Sequence, residues 1–322
     1  MQQMFPEIRP YAEHRLMVQP PHNLYICESG SPEGIPVLII HGGPGAGMSD
    51  HARRFFDPDV FRIIQYDQRG CGRSTPHACL ENNNLDALKS DIETLRQYLQ
   101  IDQWLLFGGS WGVTLAVAYA QDHPDSVLGF MLRGAFLARA KDIDWLYKEG
   151  ASRVFPEFWQ TFTDMVGGKS GAPLIDAYYQ LLSGTNELKR MGAAKSWTGW
   201  EGHCLTLTPD PKTQTSFSDP SFALGMASIG IHFMRHGCFL QENQLLDNMD
   251  RIKHLPAIII HGRYDMVCPL DNAYDLYRRW PEAELDVVRE AGHSQYENGI
   301  VDATIKAART MAKRLGHDPM QA

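Results

Sequence analysis

One serine stands among glycines in Gly108-Gly109-Ser110-Trp111-Gly112, where the apolar run "WLLF" stops and "VTLAVAYA" begins. A strand–turn–helix junction of this kind is a nucleophile elbow: side chains beside the serine would collide with the neighbouring strand and helix, and the turn lifts the hydroxyl off the sheet. The helix start adds positive potential at that hydroxyl. The plainer reading is a serine N-cap. A serine attacks a carbonyl only when a base takes its proton and an acid orients the base. On elbow scaffolds these partners follow in the order Asp or Glu, then His, each on a loop after a late strand. Asp265 follows "AIIIHGRY" and His293 follows "LDVVREAG", which makes Ser110, Asp265 and His293 the candidate triad. Asp271 is the nearest rival acid, but it lies past Pro269 where a helix begins and reads as a cap. His261 is the rival base; it precedes Asp265 at a strand end and reads as structural.

The same chemistry needs donors for the oxygen that becomes negative during attack. "HGGPGAG" (41–47) directly follows a buried-strand pattern, and its glycines leave backbone N–H groups free to face such an oxygen. Gly43 and Trp111 N–H are the expected pair. A phosphate loop is the alternative, but the spacing fits neither G-x-G-x-x-G nor the P-loop pattern. "VGGKSG" (166–171) also fails as a P-loop, since Thr163 stands where that motif needs glycine.

These groups need elements to hold them. "PVLIIHGG" (36–43), "FRIIQYD" (61–67), "WLLFGGS" (104–110), "VLGFMLRG" (127–134), "PAIIIHGRYD" (256–265) and "ELDVVREAGH" (284–293) read as strands. Continuous Val, Leu and Ile in the first is the pattern of a strand buried on both faces of a parallel sheet. Leu85, Leu88, Ile92, Leu95 and Leu99 recur at helical spacing over 85–100. Strands alternating with helices predict a parallel sheet flanked by helices. The alternation breaks after Gly134. Residues 135–255 are rich in aromatics and helix formers, so the reading is a core of 1–134 and 256–322 interrupted by a helical cap insertion at 135–255.

At 322 residues, 43% hydrophobic and 21% charged, the chain has the composition of a soluble globular protein. A formal charge of −8 argues against nucleic acid as a partner. Six cysteines without a CxxC read as free thiols in a reducing compartment. The opening stretch carries charges and prolines where a signal peptide needs an apolar run, and no stretch has the apolar length of a membrane span. A cytoplasmic protein without membrane partners is the expectation. His232 and His236 are spaced as zinc ligands on a helix, but no HExxH glutamate accompanies them. Packing histidines, and no metal, are expected.

Taken together, "HGGPGAG", "DQRGCGRS" (67–74), "GGSWG", "LRGAFL" (132–137), "WTGWEG" (197–202) and "GRYDMVCP" (262–269) make the chain resemble the proline iminopeptidase (prolyl aminopeptidase) family of α/β-hydrolases, over roughly residues 20 to 310. The resemblance implies an α/β-hydrolase core with a helical cap, Ser-His-Asp catalysis without metal or cofactor, and release of N-terminal residues, chiefly proline. It points to Glu201 as the group that receives the substrate's ammonium, with Trp197 and Trp200 as aromatic neighbours and Phe136 and Tyr147 on the acyl pocket. A carboxylate in a partly dry pocket suits that task, because charge-assisted hydrogen bonds strengthen where water is excluded. In one place the chain departs from the family. A second carboxylate usual in a stretch like "ARIENHYF" is replaced here by Gly230 in "ASIGIHFM", and Met234 stands where an aromatic is common.

The expected partners are therefore short peptides or amino-acyl amides and esters with a free N-terminus. The alternatives are a cap-bearing esterase or amidase with altered amine specificity and a non-catalytic ligand-binding protein on this scaffold. Dehalogenase and epoxide hydrolase readings fail, since both need aspartate at position 110.

Overall fold

The computed structural model describes residues 2–317; Met1 and residues 318–322, at the outer ends of the two expected core segments, lie outside it. Eight strands form one sheet in the order β1-β2-β4-β3-β5-β6-β7-β8. They are β1 (Ala12–Met17), β2 (Asn23–Gly30), β3 (Ile35–Ile40), β4 (Phe61–Tyr66), β5 (Trp104–Gly109), β6 (Val127–Arg133), β7 (Ala257–Gly262) and β8 (Ala283–Val288). Six of them match the runs read as strands above. The first two are additions: β1 and β2 pair antiparallel and fasten to β4, also antiparallel. From β4 to β8 all pairings are parallel.

The apolar runs are continuous because consecutive side chains enter different layers. Leu38 and Ile40 of β3 join one core, whereas Val37 and Ile39 join the other. In β5, Trp104 and Leu106 go one way and Leu105 and Phe107 the other. Helix α1 (Leu85–Tyr98), with Asn84 accepting from the Ala87 amide as its N-cap, supplies Leu85, Leu88, Ile92 and Leu95 to the first layer. Helix α2 (Trp111–Asp122) is buried all round and belongs to the same layer.

Between β6 and β7 the chain builds only helices: α3 (Ala140–Tyr147), α4 (Ala151–Val154), α5 (Pro156–Asp164), α6 (Ala172–Leu182), α7 (Glu187–Cys204), α8 (Pro211–Phe217), α9 (Pro220–Arg235) and α10 (Gln244–Asp247), with short 3-10 turns. This segment leaves the end of one strand and returns to its neighbour, Phe130 pairing with Ala257. Helices α11 (Leu270–Arg278) and α12 (Asn298–Arg314) complete the core, α12 packing Ile300, Ile305 and Met311 on the second layer. No helix among the described residues is long and apolar enough to cross a membrane.

Chain order reverses at β3: the next strand lies on one side of it and β5 on the other. In parallel sheets the crevice beyond the carboxyl ends of strands at such a switch point is where ligands bind. The loops after β3, β5, β6, β7 and β8 all open there, and they carry the residues singled out above.

Candidate active site

Ser110 adopts φ 57° and ψ −121°, a strained backbone outside the usual regions. The strain is held in place by close backbone packing. A Cβ on Gly108 would lie 2.4 Å from the Gly112 carbonyl oxygen, and one on Gly112 would lie 2.1 Å from that of Ile40. The Ser110 N–H donates to the Arg133 carbonyl at 2.9 Å, fastening the turn to β6. Ser110 makes no side-chain capping bond, so the N-cap alternative does not describe its hydroxyl.

His293 Nδ1 donates to Asp265 Oδ2 at 2.7 Å. The other carboxylate oxygen accepts the Val267 and Cys268 amides at 3.0 and 2.8 Å. Burial alone would raise the Asp265 carboxyl, but the His293 and His261 rings and the Cys268 amide outweigh it and hold the group below the usual carboxylate value. The pair is therefore set to stabilise an imidazolium. Ser110 Oγ faces the same cavity as His293 without hydrogen-bonding it; it meets Cys268 Sγ at 3.9 Å instead. In free enzymes this bond is often open and tightens around the substrate.

The rival residues are occupied elsewhere. His261 is buried, accepts the Ala135 amide at Nδ1 (3.2 Å) and donates from Nε2 to the Cys268 carbonyl (2.8 Å). Asp271 pairs with Lys141 at 2.7 Å in the first turn of α11; Pro269 occupies the N-cap, which corrects the reading of Asp271 as a cap. His232 bonds the Asn83 carbonyl and His236 that of His232.

The oxyanion candidates lie on the loop after β3 and at the start of α2. Gly43 lines the cavity beside Ser110, and Trp111 is the first residue of α2, where helix amides lack intrahelical acceptors. Among the described residues neither N–H has an acceptor. The scaffold behind them is built from the motif "DQRGCGRS". Gln68 accepts the Trp111 indole N–H at 3.0 Å and donates to the His41 carbonyl at 2.9 Å. Asp67 accepts the Met48 and Arg73 amides at 2.6 and 2.8 Å, clamping the glycine loop to the loop after β4. Arg69 grips Asp91 through two bonds of 2.6 Å.

The cavity measures about 760 Å³ and is lined by Ser110, His293 and Gly43 together with Phe136, Tyr147, Glu201, Met234 and Cys268. Glu201, on α7, is 8% exposed, and Oε1 accepts the Tyr147 hydroxyl at 2.6 Å. Burial raises its pKa to about 7; the Tyr147 bond and the nearby Trp197 indole pull it down only in part, and no cationic side chain contributes. Trp197, one helical turn earlier, stacks on Tyr147 with centroids 4.5 Å apart. Trp200 does not line the cavity. It bonds the Leu146 carbonyl at 3.0 Å and packs among Trp159 and Phe162. That corrects its expected place beside substrate: adjacent helix positions point about 100° apart, so Trp200 cannot share a face with Glu201 as Trp197 does. Gly230 turns toward this region, where a Cβ would sit 3.5 Å from the Pro44 carbonyl and 3.6 Å from Trp197 Nε1.

A model of the alpha/beta hydrolase fold matches residues 35–300. A proline iminopeptidase of Arabidopsis thaliana is 45% identical over 97% of this chain and 83% of its own length. A probable proline iminopeptidase of Leptolyngbya boryana is 47% identical over 95% and 96%. The chain belongs to the proline iminopeptidase family of α/β-hydrolases. Among solved structures, an esterase from Exiguobacterium antarcticum superposes with a TM-score of 0.64 at 21% identity, covering 90% of this chain and 96% of the esterase. That likeness concerns the fold alone.

Gly134, at φ +56°, is a further member of the site that the family motif contained without a stated role. A Cβ there would lie 2.9 Å from His293 Cε1 and 3.3 Å from Asp265 Oδ2. Gly134→Ala is expected to lower kcat by about 10- to 100-fold, since small displacements of a catalytic group have effects of that size. Steady-state kinetics beside a thermal melt checks this; an unchanged kcat would mean that the imidazole is free to shift.

Proposed function

We propose that the protein is a serine exopeptidase that releases N-terminal residues, preferentially proline, from short peptides through an acyl-enzyme. The carrying observation is Glu201: a buried carboxylate without a cationic partner among the described residues, lining the same cavity as Ser110 and His293. A protonated N-terminus is the complement of such a group, and it lies two bonds from the carbonyl to be attacked. The hydroxyl of Tyr147 fixes one carboxylate oxygen, which leaves the other for the ammonium.

In this reading His293 takes the proton from Ser110 as Oγ attacks the carbonyl, while Asp265 keeps the imidazole oriented and stabilises its cation. The Gly43 and Trp111 amides hold the oxyanion. His293 then protonates the leaving amine, and water attacks the acyl-enzyme by the same route in reverse. Phe136, Tyr147 and Met234 form the apolar wall against the acyl side chain. The helices of 135–255 act as a cap that restricts entry to short, unblocked termini. Six free thiols agree with the cytoplasm as the compartment.

The test compares prolyl, alanyl and N-acetylprolyl aryl amides with a simple aryl acetate. Free prolyl substrate should be cleaved fastest, and the blocked one at least about tenfold more slowly, the lower end of what one charged hydrogen bond contributes. Equal cleavage of free and blocked amides sinks the aminopeptidase reading. It would favour the second reading, an esterase or amidase with relaxed amine specificity, for which Gly230 in place of a second acid is the specific argument.

A further inference from the structure

The loop that carries His293 is bonded directly to the segment that follows Glu201. Helix α7 ends three residues after Glu201, with Leu205 as its C-cap. The Leu205 carbonyl accepts both the His293 and the Ser294 amides, each at 2.9 Å. In the other direction Glu297 spans the two segments: Oε2 accepts the Gly292 amide at 2.5 Å, and Oε1 accepts the Leu207 amide at 2.6 Å. Contact is so close that a Cβ on Gly292 would lie 2.9 Å from the Leu207 nitrogen. On the far side, Arg133 donates to the His293 carbonyl.

Glu297 occupies the N-cap position of α12, and a carboxylate there ordinarily accepts from the helix's own first amides. Glu297 makes no such bond. Both of its oxygens serve other segments: one the residue before the catalytic-histidine candidate, the other the stretch just beyond the amine-binding candidate. We infer that Glu297 is a positioning residue that couples the amine pocket on α7 to the His293 loop, so that seating an ammonium on Glu201 aligns the imaginary line from substrate carbonyl to imidazole. The inference rests on the exopeptidase reading of Glu201. Loss of Glu297 leaves the two segments joined by the Leu205 backbone bonds and removes the second tie between them, and the loss is felt most by substrates held at both ends.

The experiment is a double-mutant cycle in the full-length protein, with Glu297→Ala and Glu201→Gln alone and combined. kcat and KM are measured on prolyl aryl amide and on aryl acetate, with thermal melts alongside. Glu297→Ala should reduce kcat/KM on the aryl amide about tenfold more than on the acetate, within the range of couplings between residues of one network. That excess should vanish in the Glu201→Gln background. Glu297→Gln, which keeps the length and one acceptor oxygen, should fall between wild type and Glu297→Ala, and carries the comparison if the alanine variant does not fold. Equal losses on both substrates, or an excess that persists without the Glu201 charge, would overturn the coupling and leave Glu297 a structural brace. The exopeptidase reading fails separately, on wild-type protein, if free and blocked prolyl amides are cleaved alike.

Discussion

Replacing Ser110 with alanine should lower kcat on prolyl aryl amide by about 10⁴- to 10⁶-fold, the range seen when a triad nucleophile is deleted and only binding and the oxyanion donors remain. Stability should barely change. Ser110 Oγ makes no hydrogen bond to His293 in the free protein and no capping bond to α2, so its removal orphans no strong partner. Alanine also fits the elbow no worse than serine, because the crowding there is at the glycines on either side. KM, and the affinity for a competitive amine ligand, should stay within about threefold, as the pocket around Glu201 is untouched. Burst kinetics with an aryl ester gives a second readout: the wild-type burst of aryl product disappears with the nucleophile. Residual activity above about a hundredth of wild type would move the attack to another group.

The second large effect concerns Glu201. Glu201→Gln keeps the shape and removes the charge, and kcat/KM for free-amine substrates should drop about 10- to 100-fold, chiefly through KM. The pH profile carries the sharper signature. With a carboxyl pKa near 7, Glu201 is mostly protonated below that pH and offers no charge to an ammonium. kcat/KM on prolyl aryl amide should therefore fall as pH drops through about 7, since that parameter reports the free enzyme. The variant should lose this limb, and aryl acetate should never display it. Stability moves the opposite way. A carboxyl whose folded pKa lies above its unfolded value stabilises the fold most below the unfolded pKa, and that contribution is lost as pH rises from about 4.5 to about 7. Above pH 7 the glutamine variant should be the more stable protein, by up to roughly 3 kcal/mol, which denaturant melts at pH 5 and pH 8 would read directly. A variant equally active and equally stable at both pH values would remove Glu201 from the amine site.

The parts of this site that could be read from the chain are those set by short strings. An elbow is five residues long, and its strand and helix are adjacent in sequence; Asp265 follows an apolar run that only a buried strand explains, and His293 follows the shorter apolar pattern of the edge strand β8. β1 lies outside the runs read as strands for a related reason. β1 is "AEHRLM", with three ionisable residues among six and an edge position that leaves alternate side chains in water, so it lacks the apolar run that marked the others. The helical phase separates Trp200 from the amine site: Trp197 and Glu201 are four apart and share a face of α7, whereas Trp200 is one away. Gln68, Arg133, Gly134 and Glu297 belong to another category. Each acts through a partner remote in sequence, as Arg133 does on the His293 carbonyl, and no local pattern distinguishes such a residue from its neighbours.

The helices that roof the cavity leave the sheet after β6 and come back at β7, which lies hydrogen-bonded beside it. The ends of the excursion are thus held together by the sheet, whatever lies between them, and lengthening a loop whose ends are already joined adds little entropy. The groups that would perform bond cleavage, Ser110, Asp265 and His293, stand on strand tips outside the excursion, whereas Glu201, Tyr147 and Met234 stand within it. In the proposed reading, bond-breaking and substrate choice are thereby written in separable stretches of chain. A lineage could exchange the roof for another and inherit the reactive centre unchanged, provided that the new roof rebuilds the seam at Leu205 and Glu297.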